Sequence, residues 1–169
     1  MDAVFSRRSI RSYTEEPVTS EQMEQILKAA MAAPSANNQQ PWHFVVITDR
    51  KILKTIAFTH PHAKMAENAA AAIVVCGDPT GTKSPGYWVQ DCSAAVENML
   101  IEITAMGLGA VWCGVYPRED RVKELRQITK VPEPFIPFAL VPLGHPPEVR
   151  EPVSRFDVKR IHHEQWGNA

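Results

Sequence analysis

Helical and strand-like apolar patterns alternate along this chain of 169 residues, and they do so without a regular strand–helix–strand repeat. Thr19-Ser20-Glu21-Gln22 matches a helix capping box, after which apolar residues recur at helical spacing until Pro34. Runs of β-branched and aromatic residues predict strands. Four segments have this character: His43–Thr48, Ala72–Gly77, Ala110–Val115 and Phe138–Leu143. The order predicts a domain of mixed helix and strand.

The other segments extend this domain over residues 1–169. We predict the longest helix over Tyr87–Met106, with Gly107 as its C-terminal cap. Further helices are predicted at Asp2–Arg8, from the Asp49 cap through Phe58, at Ala63–Asn68 and at Glu119–Ile128, with Ser9–Tyr13 extended. The stretch 150–169 is a C-terminal extension that is rich in charge but also contains Phe156 and Trp166. We expect it to pack on another subunit.

Composition narrows the classes of function. The formal net charge of -1 and the pI near 6.6 provide no overall positive field, so nucleic acid is not an expected partner. The longest apolar stretch, Ala69–Cys76, is far shorter than a membrane span, and no charged-then-apolar signal segment begins the chain. We therefore expect a cytoplasmic protein with no membrane partner. Cys76, Cys92 and Cys113 are odd in number and have apolar neighbours, which predicts reduced, buried thiols.

Two polar clusters near the N-terminus carry candidate chemistry. Arg7, Arg8, Ser9 and Arg11 offer three guanidinium groups and a hydroxyl, which suit a phosphate dianion. The segment 34–42 offers the amides of Asn38 and Gln40, each with a donor and an acceptor, as an alternating C=O/N–H edge of a ring would require. Each cluster alone is more often an exposed surface or a loop that satisfies its own backbone. Together they indicate a phosphorylated cofactor that also forms hydrogen bonds.

The combination resembles the flavin-dependent nitroreductase family. The resemblance rests on Arg-Arg-Ser-x-Arg, then an amphipathic helix, then Ala-Pro-Ser-Ala-x-Asn-x-Gln-Pro-Trp leading into a strand. It continues through residues 107–114 and the late Arg155, and so spans nearly the whole chain. It implies an α+β fold, dimeric, with a central mixed, mostly antiparallel sheet flanked by helices.

The resemblance also implies roles for individual residues. Arg7, Arg8 and Ser9 match residues that hold the flavin phosphate and ribityl chain, with Arg11 nearby and Arg155 closing on the same phosphate. Asn38 and Gln40 match side chains that reach the ring and the ribityl hydroxyls. The ring edge is matched by Pro34, Ser35 and Ala36, and the strand end whose backbone faces the ring by Trp112, Cys113 and Gly114. Longer members often carry a lysine where this chain has Val153, which implies a lighter phosphate clamp.

Two other kinds of site are considered, a reactive thiol and a histidine metal site. A reactive Cys113 thiol has no evident partner histidine in the sequence, so we expect its main chain to act instead. His60, His62, His162 and His163 lack metal-ligand spacing, and we expect them on a solvated surface with no metal site.

The implied activity is an FMN-dependent oxidoreductase in which NADH or NADPH reduces the flavin. The reduced flavin then reduces a small-molecule acceptor such as a nitroaromatic or quinone, by a ping-pong mechanism at a homodimer interface. No side chain is assigned a catalytic role, since the flavin carries the redox chemistry. Two alternatives remain open at this point: a family member with different flavin chemistry, such as dehalogenation or flavin fragmentation, and a non-catalytic module that binds FMN or phosphate.

Overall fold

An antiparallel sheet with helices on both faces forms the centre of the computed structural model, which describes residues 2–81, 83–148 and 151–168. Arg150, the predicted start of the extension, lies outside the described residues. The helices are α1 (Ala3–Ser6), α2 (Ser20–Met31), α3 (Arg50–Thr59), α4 (Trp88–Ala105) and α5 (Glu119–Thr129). The strands are β1 (Trp42–Ile47), β2 (Ala71–Gly77), β3 (Gly109–Ala110), β4 (Cys113–Gly114) and β5 (Ile136–Gly144). Short 3-10 helices lie at Ala36–Asn38, Lys64–Asn68 and Val158–Arg160.

The strand order is β1-β2-β5-β3, and β4 also pairs with β5. Every strand pair within the described residues is antiparallel, and one isolated parallel bridge joins Ser9 to Ala110. This confirms the predicted α+β class with a mixed, mostly antiparallel sheet. The predicted caps of two helices are also confirmed, since Thr19 and Gln22 form a capping box and Asp49 accepts from two amides of α3.

The predicted continuous strand Ala110–Val115 is wrong, because the structure divides it into β3 and β4. Both short strands pair with β5 in one register, with Ala110 opposite Leu143 and Cys113 opposite Leu140. Val111 donates its N–H to the carbonyl of Pro142 at 3.3 Å, but proline has no N–H to return the bond. The ladder is therefore interrupted at the two residues that lead into the predicted site.

The sheet separates two hydrophobic clusters. Alternate residues of β2 face opposite sides, so Ile73 and Val75 pack in the cluster that contains α2 and α4 residues, whereas Val74 packs with α3 and α5 residues. All seven residues of β2 are buried, which explains its uninterrupted apolar sequence. Within the described residues, no helix combines the length and apolar character that a membrane crossing requires.

After α4, the chain turns back towards the N-terminal segment of the protein. Gly107 has φ of 75°, and the N–H groups of Gly107 and Leu108 bond back to Thr104 and Ile103, as in a Schellman cap. Gly109 then lies against Ile10, where a Cβ at residue 109 would stand 2.7 Å from the isoleucine Cβ. Only glycine permits this approach, which brings the Arg7–Arg11 segment beside β3.

A glycine at the end of β2 provides a test of the packing around Trp88. A Cβ at Gly77 would overlap Cε3 of the buried Trp88 ring. We expect Gly77→Ala to lower the free energy of unfolding by about 1–3 kcal/mol through overpacking, measured by urea denaturation. Gly81→Ala is the control, because a Cβ there meets only the side chain of Asp78, and a change within about 0.5 kcal/mol is expected. Equal losses in the two variants would contradict this account.

Candidate functional site

A cavity of about 470 Å³ brings together two of the predicted motifs. Arg11 lines it from the N-terminal segment, and Trp112, Cys113 and Gly114 line it from the interrupted strand. The parallel bridge between Ser9 and Ala110, with the Ile10 N–H donating to the Ala110 carbonyl at 2.9 Å, holds the two segments side by side. The remaining lining residues come from the stretch between α3 and β2 and from Val111: Pro61, His62, Lys64, Met65 and Val111.

Lys64 is a residue that sequence reasoning missed. It begins the 3-10 helix Lys64–Asn68 and lines the same cavity as Arg11. The described residues that line this cavity include these two permanent cations and no carboxylate, so the cavity is electropositive. Nothing in the sequence spacing pairs Lys64 with Arg11, since the two meet only when the stretch before β2 packs beside β4.

The other arginines of the first motif are placed differently. Arg7 Nε lies 3.2 Å from Oε1 of Glu97 on α4. Arg8 lines a second cavity, of about 310 Å³, together with Ile10 and other residues near the end of α4. The Arg8 Nε is buried and has no hydrogen-bond partner among the described residues. The predicted grouping of all these guanidinium groups around one phosphate stays a prediction, because Arg8 and Arg11 face different cavities of the single chain.

A buried carboxylate holds the second motif in place. Asp91 in the first turn of α4 is 4% exposed, and its Oδ1 accepts from the Ala36 N–H at 2.9 Å. Its Oδ2 accepts from Nε2 of Gln39, whose own Oε1 accepts from the Ser84 N–H at 3.2 Å. Sequence reasoning missed this residue, although a carboxylate on the apolar face of a long helix is a signal that a partner must exist.

These contacts impose an unusual backbone on the loop. Asn37, Asn38 and Gln40 have φ of 50°, 52° and 48°, a region that asparagine tolerates better than most residues. The Gln40 N–H donates to Oγ of Ser35 at 3.0 Å, and its side-chain Nε2 donates to Oδ1 of Asn38 at 3.1 Å. Asn38, Gln40 and Pro34 are exposed, and Ser35 and Ala36 are half-buried. None of them lines the cavity that contains Arg11, and neither does the exposed Arg155.

The backbone at Gly114 is anchored from two sides. Its carbonyl accepts from Nη1 of Arg121 at 2.9 Å and lies 3.2 Å from Nε2 of His60. The expectation of a solvated His60 is wrong, because this side chain is 3% exposed and burial lowers its pKa. Burial raises the pKa of the Cys113 thiol to about 11, and its Sγ–H donates to the His62 carbonyl at 3.3 Å. The thiol is therefore protonated at neutral pH, which favours a structural role.

Comparison with known proteins identifies the family of the chain. The model of the Nitroreductase family matches residues 4–75 and 57–145, which together cover most of the chain. The chain belongs to the nitroreductase family. The predicted resemblance is thereby confirmed, together with the α+β fold it implied, while the dimer stays a prediction.

Individual relatives of this nitroreductase-family chain agree. A protein of Archaeoglobus fulgidus, provisionally named NADH dehydrogenase/NAD(P)H nitroreductase, is 49% identical over 96% of each chain. A crystal structure under the same provisional name, from Bacteroides thetaiotaomicron, superposes with a TM-score of 0.94 at 42% identity and covers 98% of this chain and 96% of that one. A provisionally named nitroreductase from Desulfovibrio desulfuricans, solved with FMN, has a TM-score of 0.82 at 29% identity over 97% and 95% of the two chains.

The role of Asp91 in this nitroreductase-family chain can be tested by its charge-neutral isostere. Asp91→Asn keeps one oxygen acceptor but sets a second NH₂ group against the amide of Gln39. We expect the free energy of unfolding to fall by about 1–3 kcal/mol, the usual cost of an unsatisfied buried polar group. Glu102→Gln removes the same charge from α4 without touching the loop and should leave stability nearly unchanged. An Asp91→Asn protein as stable as wild type would show that the carboxylate does not hold the loop.

Proposed function

We propose that this protein is an FMN-dependent NAD(P)H oxidoreductase that reduces nitroaromatics, quinones or related acceptors by a ping-pong mechanism. The observation that carries the proposal is the cavity in which Arg11 and Lys64 lie beside the backbone of Trp112–Gly114. The names of the relatives support the reaction class, and the FMN complex of the Desulfovibrio desulfuricans structure supports the cofactor. The cytoplasmic location expected from the sequence remains part of the proposal.

The donor chemistry of the described residues fits FMN. Arg8 has a buried Nε with no partner among the described residues, which a phosphate oxygen would satisfy, and it is followed by Ser9 in the sequence. The cavity that Arg8 lines also contains Glu148 and Glu151. Arg11 and Lys64 would hold an anionic cofactor in this cavity and stabilise negative charge on it. When bound, the flavin supplies the redox chemistry itself. The chain would supply a fixed backbone at Gly114 beside the bound cofactor, together with the positive charge of Arg11 and Lys64.

We further propose that the working form is a homodimer with one FMN for each subunit at the interface. Pro34–Gln40 and Arg155 do not line the Arg11 cavity in the single chain, and a second copy that brought such residues to it would complete the site predicted from the sequence. The extension has large apolar side chains in water, with Phe156 79% and Trp166 90% exposed. Covering each of them would contribute about 1.5–3 kcal/mol, which supports a partner surface.

The activity is tested with purified, FMN-loaded protein under anaerobic conditions. NADH or NADPH should bleach the flavin spectrum, an added quinone or nitroaromatic should restore it, and double-reciprocal plots should give parallel lines. A protein that binds FMN but is not bleached would be a non-catalytic module, and one that retains no flavin would remove the proposal. Cys113→Ala should keep most turnover, because the substitution leaves the main chain of residue 113 in place.

The cationic lining should contribute measurably to this reaction. We expect Arg11→Ala and Lys64→Ala each to weaken FMN affinity or slow flavin reduction by roughly tenfold or more, since a charge-assisted contact contributes about 1.5–3 kcal/mol. Fluorescence titration and stopped-flow bleaching measure the two quantities. Lys51→Ala removes an exposed lysine on α3, outside the cavity, and should behave as wild type. If all three variants behave alike, the cavity is not the flavin site.

The dimer is tested through the extension. We expect Phe156→Ser combined with Trp166→Ser to shift the protein towards monomer and to lower FMN retention together, measured by analytical ultracentrifugation and absorbance. Phe58→Ser is the control, because Phe58 on α3 is 92% exposed and lies outside the extension. A doubly substituted protein that remains a flavin-loaded dimer would show that these side chains do not cover a partner.

A further inference from the structure

A closed chain of hydrogen bonds lies behind the Arg11 cavity. The Cys113 Sγ–H donates to the His62 carbonyl at 3.3 Å, and the His62 N–H donates to Nδ1 of His60 at 3.3 Å. Nε2 of His60 lies 3.2 Å from the Gly114 carbonyl, so this series of hydrogen bonds begins and ends on β4. It joins the stretch between α3 and β2 to β4, and both segments line the cavity.

The partners decide the protonation state of His60. A carbonyl oxygen only accepts, so Nε2 must carry the proton, and a backbone N–H only donates, so Nδ1 must be bare. The neutral Nε2–H tautomer is the one form of the ring that satisfies both contacts. His60 does not line the cavity, yet His62, Lys64, Cys113 and Gly114 all do. The buried His60 ring therefore fixes the position of the segment that contains His62 and Lys64 relative to β4, although the ring itself does not line the cavity.

We propose that His60 is a positioning residue: its neutral ring holds the Lys64 segment against β4, and a proton on Nδ1 releases that segment. The proposal rests on the proposed function in one respect, since the position of that segment matters for turnover only if the cavity holds FMN. Protonation would turn Nδ1 from an acceptor into a donor that faces the His62 N–H, and two donors repel. The hydrogen bond from Nε2 to the Gly114 carbonyl would survive protonation. Only the contact with the segment that contains His62 and Lys64 would be lost.

Burial, Arg121 and His62 lower the pKa of His60, whereas the hydrogen bond to the Gly114 carbonyl and the charge of Glu124 raise it, and the net shift is downward. From α5, Arg121 donates to the same Gly114 carbonyl and disfavours a second cation beside it, while Glu124 opposes this effect. His62 on the adjoining segment also disfavours the charge, and Cys113 on β4 is a neutral thiol. Burial is the largest influence and lowers the pKa of His60 below its ordinary value. The neutral tautomer is accordingly the state at physiological pH, and acid is the switch.

The tautomer is tested first, in the full-length protein without FMN. Long-range proton–nitrogen NMR spectra of the histidine rings should show Nε2 protonated and Nδ1 bare for His60 near neutral pH, assigned by comparison with His60→Gln. A protonated Nδ1 under these conditions would overturn the proposal whatever the protein catalyses, because the His62 contact could not then exist.

Stability supplies a second readout that does not depend on flavin. Since the pKa of His60 is lower in the folded than in the unfolded protein, the unfolded state binds more protons as the pH falls below about 6.5, the ordinary value. Wild type should therefore lose stability from about that pH downwards, until the pH is below the lowered pKa. His60→Gln, whose amide can donate to Gly114 and accept from His62 without titrating, should lose less. Equal losses would contradict the proposal.

The link to turnover is tested with the FMN-loaded protein. In wild type, flavin reduction by NADH or NADPH should slow as the pH falls below about 6.5, the ordinary histidine value, and His60→Gln should lose most of that acid dependence. His60→Phe fills the space without hydrogen bonds and should slow reduction by about tenfold or more at every pH, the scale expected when reacting groups are misplaced. His43→Gln removes an exposed histidine on β1, outside the cavity, and should keep the wild-type profile.

These outcomes distinguish a failure of the proposed function from a failure of the role proposed for His60. If neither NADH nor NADPH reduces wild type, the proposed function fails, while the NMR and stability results still decide the role of His60. If wild type is reduced but His60→Gln keeps the full acid dependence, His60 is not the switch although the enzyme assignment stands. If His60→Phe does not fold, the His60→Gln comparison decides alone.

Discussion

Antiparallel pairing along β5 is the constraint on which the site depends. This strand is buried in the middle of the sheet, with β2 on one side and both β3 and β4 on the other. Its Pro142 lacks the N–H that would complete the ladder opposite Val111, so the neighbouring strand separates into two short pieces. The gap allows Trp112 to leave the regular pattern while Cys113 and Gly114 are held in register. The paired strand β4 thereby lines the adjacent cavity.

Two close contacts attach the remaining parts to this frame. Gly109 allows Ile10 to approach so closely that the N-terminal arginine segment joins the edge of the sheet. Asp91 attaches the Pro34–Gln40 loop to α4, because its buried carboxylate requires hydrogen-bond donors and the loop supplies them. Both contacts join residues that are far apart in sequence. They fix the positions of two motifs that would otherwise be ordinary surface segments.

Charged and polar groups surround the cavity at two depths, some lining it directly and others lying behind the lining. Arg11 and Lys64 line it directly and make it positive. Behind them, Arg121 and His60 converge on the Gly114 carbonyl, one as a permanent cation and the other as a neutral ring. Because burial keeps His60 neutral and Cys113 protonated, these two groups add little variable charge near neutral pH. Such an arrangement suits a reaction in which the cofactor, and not a side chain, carries the electrons.

Local chemistry determined much of this protein. The capping box at Thr19, the Asp49 cap, the glycine after α4 and the unbroken apolar run of β2 are each set by neighbouring residues, and the structure has them all. The order of motifs along the chain also sufficed to identify the family, because the motifs carry recognisable residue types at fixed spacing. These features depend on contacts over a few residues, and such contacts are visible in the sequence.

Only the tertiary structure decided how the motifs meet. It divided the third predicted strand, buried His60, selected Asp91 as the anchor of the amide loop and added Lys64 to the cavity of Arg11. It also placed Arg8 and Arg11 in different cavities, although they are neighbours in sequence. Each of these outcomes depends on which backbone groups remain unsatisfied, or which side chains become buried, when distant segments pack together. Burial and hydrogen-bond satisfaction are properties of the packed chain, and no local pattern encodes them.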